Sequence, residues 1–572
     1  MNKSTRNECN KISKHYMDKL SIYGILVSFM KKNMFIFFIY FLITVLLYPF
    51  HYIIIPKYYG MVINSFKDKN QSSFVYFVKM LLGAYVLCWF LEMCLYKTQS
   101  VIFPNFAEYT TGSIFEFIID HYELDFENIH TGEILSKIIR MPGILADCLQ
   151  AFGIDFVKEF LVSITAIYTY YSVSLVTMSV YVVYALLYYV FIYFLFHYLL
   201  TYDIEKNKAQ DKMYECLVDC FNNFSSIYAF NQQTQEKDRF YGEVFKDYKE
   251  RVIESWSKYL SASSVWGGVT VSLFISLNYL IYREYKRKII NAETLISTFI
   301  VTFSIIRLYE KAVANADRYS DIYGKILDTE IFFNEISSYN MNAKKTNTDA
   351  FKNGDIVFKG IYHKYKNQFV LENINIHIEK GEKVAFVGQI GSGKSTLIKL
   401  LLGFQPLTMG TITVGGLDIN QISNAQLREN IFYIPQKPKL FNRTLYENIT
   451  YGIEKKPSKE SILLLLDDLK LGDIRSVFEH KMDETVGVEG NELSGGQRQI
   501  VWLLRAFYRQ APILVLDEPT AALDPATKIL VMDIIKRINV GKTVIIVSHD
   551  PIDSSFRQIR LKKGRVAQET LF

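Results

Sequence analysis

Residues 388–396 read Gly-Gln-Ile-Gly-Ser-Gly-Lys-Ser-Thr, a spacing that suits phosphate chemistry. Gly388, Gly391 and Gly393, with Gln389 and Ser392 between them, let backbone N–H groups close around an anion. The helix that must follow adds favourable partial charge at its N-terminus. Lys394 can reach the β- and γ-phosphates of a nucleotide. Ser395 offers a hydroxyl to Mg²⁺, and Thr396 completes the P-loop pattern. Further on, residues 513–516 are an apolar run ending in Asp517 and Glu518. An acid at a strand end beside a P-loop can hold the metal's shell, which suits Asp517. Glu518 can then polarise an attacking water as general base. An Asp–Glu pair alone is weak evidence; behind a P-loop it is strong.

These side chains need a sheet to position them. Residues 384–387 read as a buried strand that feeds the glycine turn, and 513–516 as a second. Past about residue 315 the chain has short strands, glycine turns and amphipathic helices. Before it come long apolar runs. A helix needs about 20 apolar residues to cross a bilayer. Six spans are expected, at roughly 33–56, 73–97, 153–173, 174–200, 262–283 and 291–311. The third and fourth are separated by little more than a turn, and the basic stretch 283–288 joins the last two. Two polar segments, roughly 98–152 and 201–261, have helical spacing with charged faces and are expected to project from the membrane as helix extensions. An even number of spans puts both termini on one side, the side that holds ATP. Lys14, Lys19, Lys31 and Lys32 agree with a positive-inside start. Glu92 and Arg307 lie inside apolar runs near span ends, where a charge can reach the interface or face a translocation path.

A third motif makes the reading specific. Leu493, Ser494, Gly495, Gly496 and Gln497 begin LSGGQRQ. This resembles the signature of ATP-binding cassette (ABC) proteins, and it lies, as in that family, between the P-loop and the acidic strand. The resemblance implies further roles. Tyr365 maps to the aromatic that stacks on adenine, with Tyr362 as its neighbour. Gln436 maps to the Q-loop, contacting Mg²⁺ and the attacking water. Glu489 matches the acid of the segment that meets the cytosolic loops in exporters. Ala522, Leu523 and Asp524 match the D-loop, and His549 the switch histidine near the γ-phosphate. No motif is broken. In such cassettes ATP lies between the P-loop of one copy and the signature of another, so one chain cannot close a site alone. A homodimer is the expected unit, with a heterodimer as the alternative.

Membrane region first and cassette second resembles the half-transporter exporters of the ABC superfamily. The expected architecture is a multi-domain membrane protein: a six-helix transmembrane domain plus an α/β P-loop ATPase domain. The bounds expected are an N-terminal segment 1–32, a six-span domain 33–315, a helical linker 316–350 and a nucleotide-binding domain 351–572. ATP and Mg²⁺ are the implied cofactors. The segment from Asn207 to Arg239 is similar to the second loop of mitochondrial-type exporters, which implies a thiol-linked cargo and an organelle inner membrane. Asp203, however, stands where those proteins place a cation, which argues against a thiol-peptide cargo. A lipid flippase or floppase on the same scaffold is the alternative, and a non-pumping channel regulator a third reading.

Composition agrees with a membrane protein. Of 572 residues half are hydrophobic and 21% charged, and the mean hydropathy is +0.10. A net charge of +6 without a long basic run does not indicate a nucleic-acid binder. The six cysteines form no CxxC pair, so neither a zinc knuckle nor a disulfide framework is expected. The first twenty residues mix Glu8 and Asp18 with lysines, unlike a secretory signal or a transit peptide.

Overall fold

The computed structural model describes residues 22–121, 131–340, 353–365, 368–521, 523, 525–538, 541–549, 552 and 554–570. These divide into two compact units, one running to Ser338 and the other beginning after it.

The described residues of the first unit are helices joined by short turns, the longer helices being α1 (Ile22–Lys32), α2 (Met34–Pro49), α3 (Ile55–Lys67), α4 (Gln71–His121), α5 (Thr131–Gln150), α6 (Val157–Tyr171), α7 (Leu175–Asn222), α8 (Phe245–Lys286), α9 (Ala292–Tyr309) and α10 (Ala312–Asn340). Helix is what such apolar sequence must form in lipid, because only there is every backbone N–H and C=O satisfied within one segment. Among the described residues five segments are long and apolar enough to cross a membrane: Met34–Lys67, Gln71–Asp120, Leu175–Asn222, Gln233–Lys286 and Ala292–Ile331. The remaining expected span, 153–173, falls on a π-helical turn (Ala151–Phe156) and α6. Asp155, Lys158 and Glu159 lie within it and lower its hydropathy.

The described parts of the polar segments continue the same helices, and residues 122–130 of the first lie outside the described residues. At a rise of about 1.5 Å per residue, the 51 residues of α4 and the 48 of α7 far exceed a hydrocarbon layer of about 30 Å. Local chemistry sets the breaks. Pro49 closes α2 and a π-turn, Phe50–Ile54, carries the chain into α3. Ser174 caps α7, its hydroxyl accepting from the Thr177 N–H at 3.2 Å, and Asn291 caps α9, accepting from Thr294 N–H at 2.8 Å.

Polar groups thread the core of this unit. Glu159 is 2% exposed. Its carboxylate accepts from the Tyr188 hydroxyl and from the Asn315 amide, each at 2.6 Å. Tyr188 stacks on Tyr309 with centroids 4.1 Å apart, and Tyr309 shares hydrogen bonds with Ser163 and Tyr181. On the polar extension Asp203 is fully buried and paired with Lys206 at 2.7 Å. Arg307 is exposed and Glu92 half-buried.

The second unit is built on two sheets. The strands are β1 (Ile356–Tyr365), β2 (Gln368–Ile378), β3 (Lys383–Val387), β4 (Met409–Val414), β5 (Leu417–Asp418), β6 (Ile431–Ile434), β7 (Ile513–Asp517), β8 (Thr543–Ser548), β9 (Arg557–Lys562) and β10 (Arg565–Thr570). An antiparallel sheet runs β2-β1-β4-β5, and a six-stranded sheet runs β10-β9-β3-β8-β7-β6. Within the latter, β9, β3, β8, β7 and β6 are parallel and β10 is antiparallel at the edge. The central strands β3, β7 and β8 are almost wholly buried, which explains why they read as unbroken apolar runs. Two apolar cores flank them. Ligands bind at the carboxyl ends of parallel strands in such sheets, and the motifs predicted from sequence follow those ends.

Candidate functional site

Four adjacent parallel strands deliver the site. The loop after β3 carries Gly388 to Gly393 and opens helix α11 (Lys394–Leu401). The end of β7 carries Asp517 and Glu518, the end of β8 leads to His549, and the loop after β6 holds Gln436.

The P-loop depends on its glycines. Gly393 has φ 98°, and a Cβ there would lie 2.5 Å from Leu371 Cδ2. A Cβ on Gly388, at φ 155°, would lie 2.3 Å from the Leu561 carbonyl oxygen. A larger residue at Gly388 would have to move the β9 backbone, and one at Gly393 would have to displace the Leu371 side chain while holding a left-handed φ. Gly391 has φ 78°. The Ser392 N–H donates to the Gln389 carbonyl at 3.1 Å. The Ser392 hydroxyl is buried and has no partner among the described residues, so it is a polar group of the cradle still open to a ligand.

Lys394 is 4% exposed. Its ammonium donates to the carbonyls of Gly388 at 2.8 Å and Gln389 at 3.0 Å. Burial pushes its pKa down, while Glu518 and Asp517 oppose that. The Ser395 hydroxyl donates to Asp517 Oδ1 at 3.4 Å, and Tyr433 donates to the other oxygen at 3.5 Å. Hydroxyl and carboxylate together form the hard oxygen set that Mg²⁺ takes, so these residues fit that ion. Thr396 stands half-buried in the first turn of α11.

Glu518 is 9% exposed and has φ 47°, an uncommon conformation for a residue with a side chain and one that clusters at functional sites. Its N–H donates to the Val547 carbonyl at 2.9 Å, so β8 holds it there. Its carboxylate accepts from the Gln436 amide and pairs directly with His549 Nε2. The other ring nitrogen of His549 lies 3.5 Å from the Gly388 carbonyl. Sequence-predicted residues from three loops thus meet at one carboxylate, and a fourth loop, through the Gly388 carbonyl, meets His549.

Tyr365, at the end of β1, is 43% exposed, and Tyr362 meets Phe369 edge-on on the same sheet. The signature opens a helix of its own. Leu493 is buried and Ser494 caps helix α12 (Gly495–Arg509), with a capping box closed by Gln497. Ser494 and Gly495 are exposed. A Cβ on Gly496 would lie 2.7 Å from Thr527 Cγ2. Among the described residues, the side-chain hydrogen bonds and ion pairs of Lys394 and Glu518 run to Gly388, Gln389, Gln436 and His549. Glu489 pairs with Lys439 at 2.6 Å. Leu523 packs against the core beside β7, while Ala522 and Asp524 lie outside the described residues.

Sequence reading missed Tyr433 and Gln405. Tyr433 sits two residues past the start of β6 and reaches Asp517; its proximity to the Q-loop was the available signal. Gln405 follows α11 in a loop and accepts from the Tyr365 hydroxyl, a pairing between segments forty residues apart that no local pattern announces.

Comparison with known proteins bears on this geometry. The family "ABC transporter transmembrane region" matches residues 34–308 and "ABC transporter" matches 371–521. The chain is 36% identical over 233 residues to the Transport/processing ATP-binding protein ComA of Streptococcus pneumoniae, covering 40% of this chain and 32% of that protein. It is 35% identical over 266 residues to the Multidrug resistance-like ATP-binding protein MdlB of Buchnera aphidicola, 46% of this chain and 45% of that one. It is 37% identical over 219 residues to the ATP-dependent lipid A-core flippase of Legionella pneumophila, 38% of this chain and 37% of that one. Each match spans less than half of the curated relative's length. A bacterial Atm1-family ABC exporter with ATP bound superposes with TM-score 0.77 over 95% of both chains at 19% identity, a likeness of fold. With a transmembrane-region match before a cassette match, and an exporter's fold over nearly its full length, the chain belongs to the ABC transporter superfamily in its half-transporter arrangement.

Proposed function

We propose that this chain is one half of an ATP-hydrolysing exporter that moves cargo across a membrane by alternating access as a dimer. The observation that carries the reading is the Glu518 carboxylate, held by Gln436 and His549 at the mouth of the P-loop. The working division is a membrane domain at 33–315, a linker at 316–350 and a cassette at 351–572.

ATP is the substrate of this site. The P-loop N–H groups, Lys394 and the Ser392 hydroxyl bind its phosphates, and Tyr365 stacks on the base. Ser395, Asp517 and Gln436 are the residues to hold Mg²⁺, which when bound neutralises charge on the phosphates. Glu518 accepts the proton of the attacking water as that oxygen bonds to the γ-phosphorus, and ADP leaves. His549 fixes the carboxylate and meets the γ-phosphate. Leu493 to Gln497 of a second copy cover the nucleotide from the other side, so the dimer closes around ATP and reopens after hydrolysis. That cycle is the ligand-biased two-state element that alternating access requires. The cassette lies on the ATP-containing side. A homodimer supplies two complete sites.

The relatives include a multidrug-resistance-like protein and a lipid A-core flippase, which supports small amphipathic or lipid cargo. The test is ATPase activity of the full chain in lipid nanodiscs, wild type beside Glu518→Gln, with and without lipids, hydrophobic drugs and glutathione conjugates. Hydrolysis lost in the variant and raised by one cargo class is expected. Hydrolysis unchanged by Glu518→Gln would overturn the mechanism, and hydrolysis indifferent to every cargo would favour a regulator over a pump.

A further inference from the structure

The base platform of the site is tethered in a way that the motifs do not specify. Tyr365 ends β1 beside solvent, 43% exposed, where a tyrosine side chain would ordinarily sample several rotamers. Two contacts restrict it. Its hydroxyl donates to Gln405 Oε1 at 2.7 Å. Its ring meets His363 edge-on, with centroids 5.2 Å apart and planes at 90°. Neither partner is a surface side chain. Gln405 is 8% exposed and His363 5% exposed, and His363 is itself fixed through Nδ1, 3.1 Å from the Thr408 hydroxyl.

Gln405 lies just beyond α11, the helix whose N-terminus forms the phosphate cradle. The chain leaves that helix through a closed turn, with the Leu402 N–H on Ile398, Gly403 on Leu400 and Phe404 on Lys399. Gln405 therefore moves with α11. Tyr365 belongs to a different sheet. The Tyr365–Gln405 bond is a direct strut between the element that would carry the base and the element that would carry the phosphates.

We infer that Gln405 is a positioning residue for nucleotide binding: it fixes the Tyr365 ring at a set distance and tilt from the P-loop helix, so that the platform is ordered before a nucleotide arrives. The inference rests on the reading of Tyr365 as the base-stacking residue. Its energetic basis is preorganisation. A side chain that must be immobilised on binding weakens the complex, and one already immobile does not. Gln405 touches neither phosphate nor the attacking water in this reading, so its loss changes how tightly nucleotide binds and leaves the rate of the bound complex alone.

The experiment uses the full chain in lipid nanodiscs and four variants: Tyr365→Phe, Gln405→Met, the double variant and Gln405→Glu. The readouts are the Kd of a fluorescent ATP analogue, and KM and kcat for ATP hydrolysis. Tyr365→Phe removes only the hydroxyl of an exposed residue and Gln405→Met keeps side-chain length, so both retain the fold. Each is expected to raise Kd and KM about three- to tenfold with kcat within about twofold of wild type. The double variant should be no worse than either single one, because both lose the same bond. Gln405→Glu keeps an oxygen acceptor and should bind nearly as wild type does. Unchanged Kd in both single variants, or additive losses in the double, overturns the strut. Failure of the functional proposal has a different signature: a wild type that binds nucleotide but does not hydrolyse it leaves the Kd series intact. A wild type that binds no nucleotide overturns both.

Discussion

The side-chain amide of Gln436 donates to the carboxylate of Glu518, joining the loop after β6 to the end of β7. His549 engages the same carboxylate from β8. Three loops thus fix one acid, and the consequences of removing the acid and of removing a neighbour differ. Glu518→Gln keeps the shape and the Gln436 contact region but cannot take a proton. It should lower kcat by about 10²–10⁴ while ATP binding is retained. Gln436→Ala leaves the base in place but loosens it, and should lower kcat less. Stopped-flow hydrolysis and nucleotide binding on the same preparations separate the two. A Gln436→Ala loss equal to that of Glu518→Gln would mean that the Q-loop amide is as necessary to the step as the acid, and that holding the carboxylate is not its main role.

The signature helix is held at its start by chemistry that can be tested apart from catalysis. Ser494 accepts from the Gln497 N–H at 3.2 Å, and the Gln497 side chain accepts from the Ser494 N–H at 2.9 Å. Ser494→Ala removes the cap and should destabilise the first turn of α12 by about 1 kcal/mol. Hydrogen exchange at 495–498 in the full chain should quicken about fivefold. Ser494→Asp also caps well and should restore protection, although a carboxylate there opposes an incoming phosphate. Exchange restored without recovery of ATPase would separate the capping role from the nucleotide-facing role.

Inside the membrane unit, Glu159 links α6 to α7 through Tyr188 and to α10 through Asn315. Glu159→Leu leaves two buried donors without an acceptor, at about 1–3 kcal/mol each. Thermal unfolding of this variant in detergent should move several degrees down. Glu159→Gln retains an oxygen for Asn315 and an amide for Tyr188 to accept from, so it should unfold close to wild type. If both variants unfold alike, the bonds contribute little and shape alone matters at this position.

How much of this was readable beforehand follows from where the information lies. The cassette was legible because its chemistry is local: a glycine turn, a lysine and two strand-ending acids occupy fixed spacings whatever surrounds them. The convergence of Gln436, Glu518 and His549 followed from the family pattern, and strand order accounts for it. The strut between Tyr365 and Gln405 was invisible, since it pairs a strand end with a loop through tertiary packing alone. In the membrane unit apolar runs gave six expected crossings, and five of them fall on helices long and apolar enough to span among the described residues. The segment 153–173 is harder to read because Asp155, Lys158 and Glu159 interrupt it. Glu159 finds its partners on α7 and α10, and Asp155 finds Arg318 at 3.0 Å. Hydropathy cannot anticipate such satisfaction.

His363 gives the cassette a pH dependence whose sign is fixed by burial. The ring is 5% exposed, and burial pushes its pKa below the ordinary value, which is about 6.5. The groups beside it, the Thr408 hydroxyl and the Tyr365 ring, carry no negative charge to offset that. Well above pH 6.5 the imidazole is neutral in both the folded and unfolded chain and contributes no slope. As pH falls through that value the unfolded chain takes up a proton that the folded one refuses, so stability is lost on acidification. Guanidinium unfolding of the full chain, followed by hydrogen exchange in β1 to isolate the cassette, should show protection falling below about pH 6.5. His363→Gln keeps a polar contact for Thr408 without a titrating group, and its difference from wild type should be constant above that pH and shift in the variant's favour below it. A difference that stays constant from pH 5 to pH 8 would show that His363 titrates alike in both states and that its burial has no electrostatic consequence.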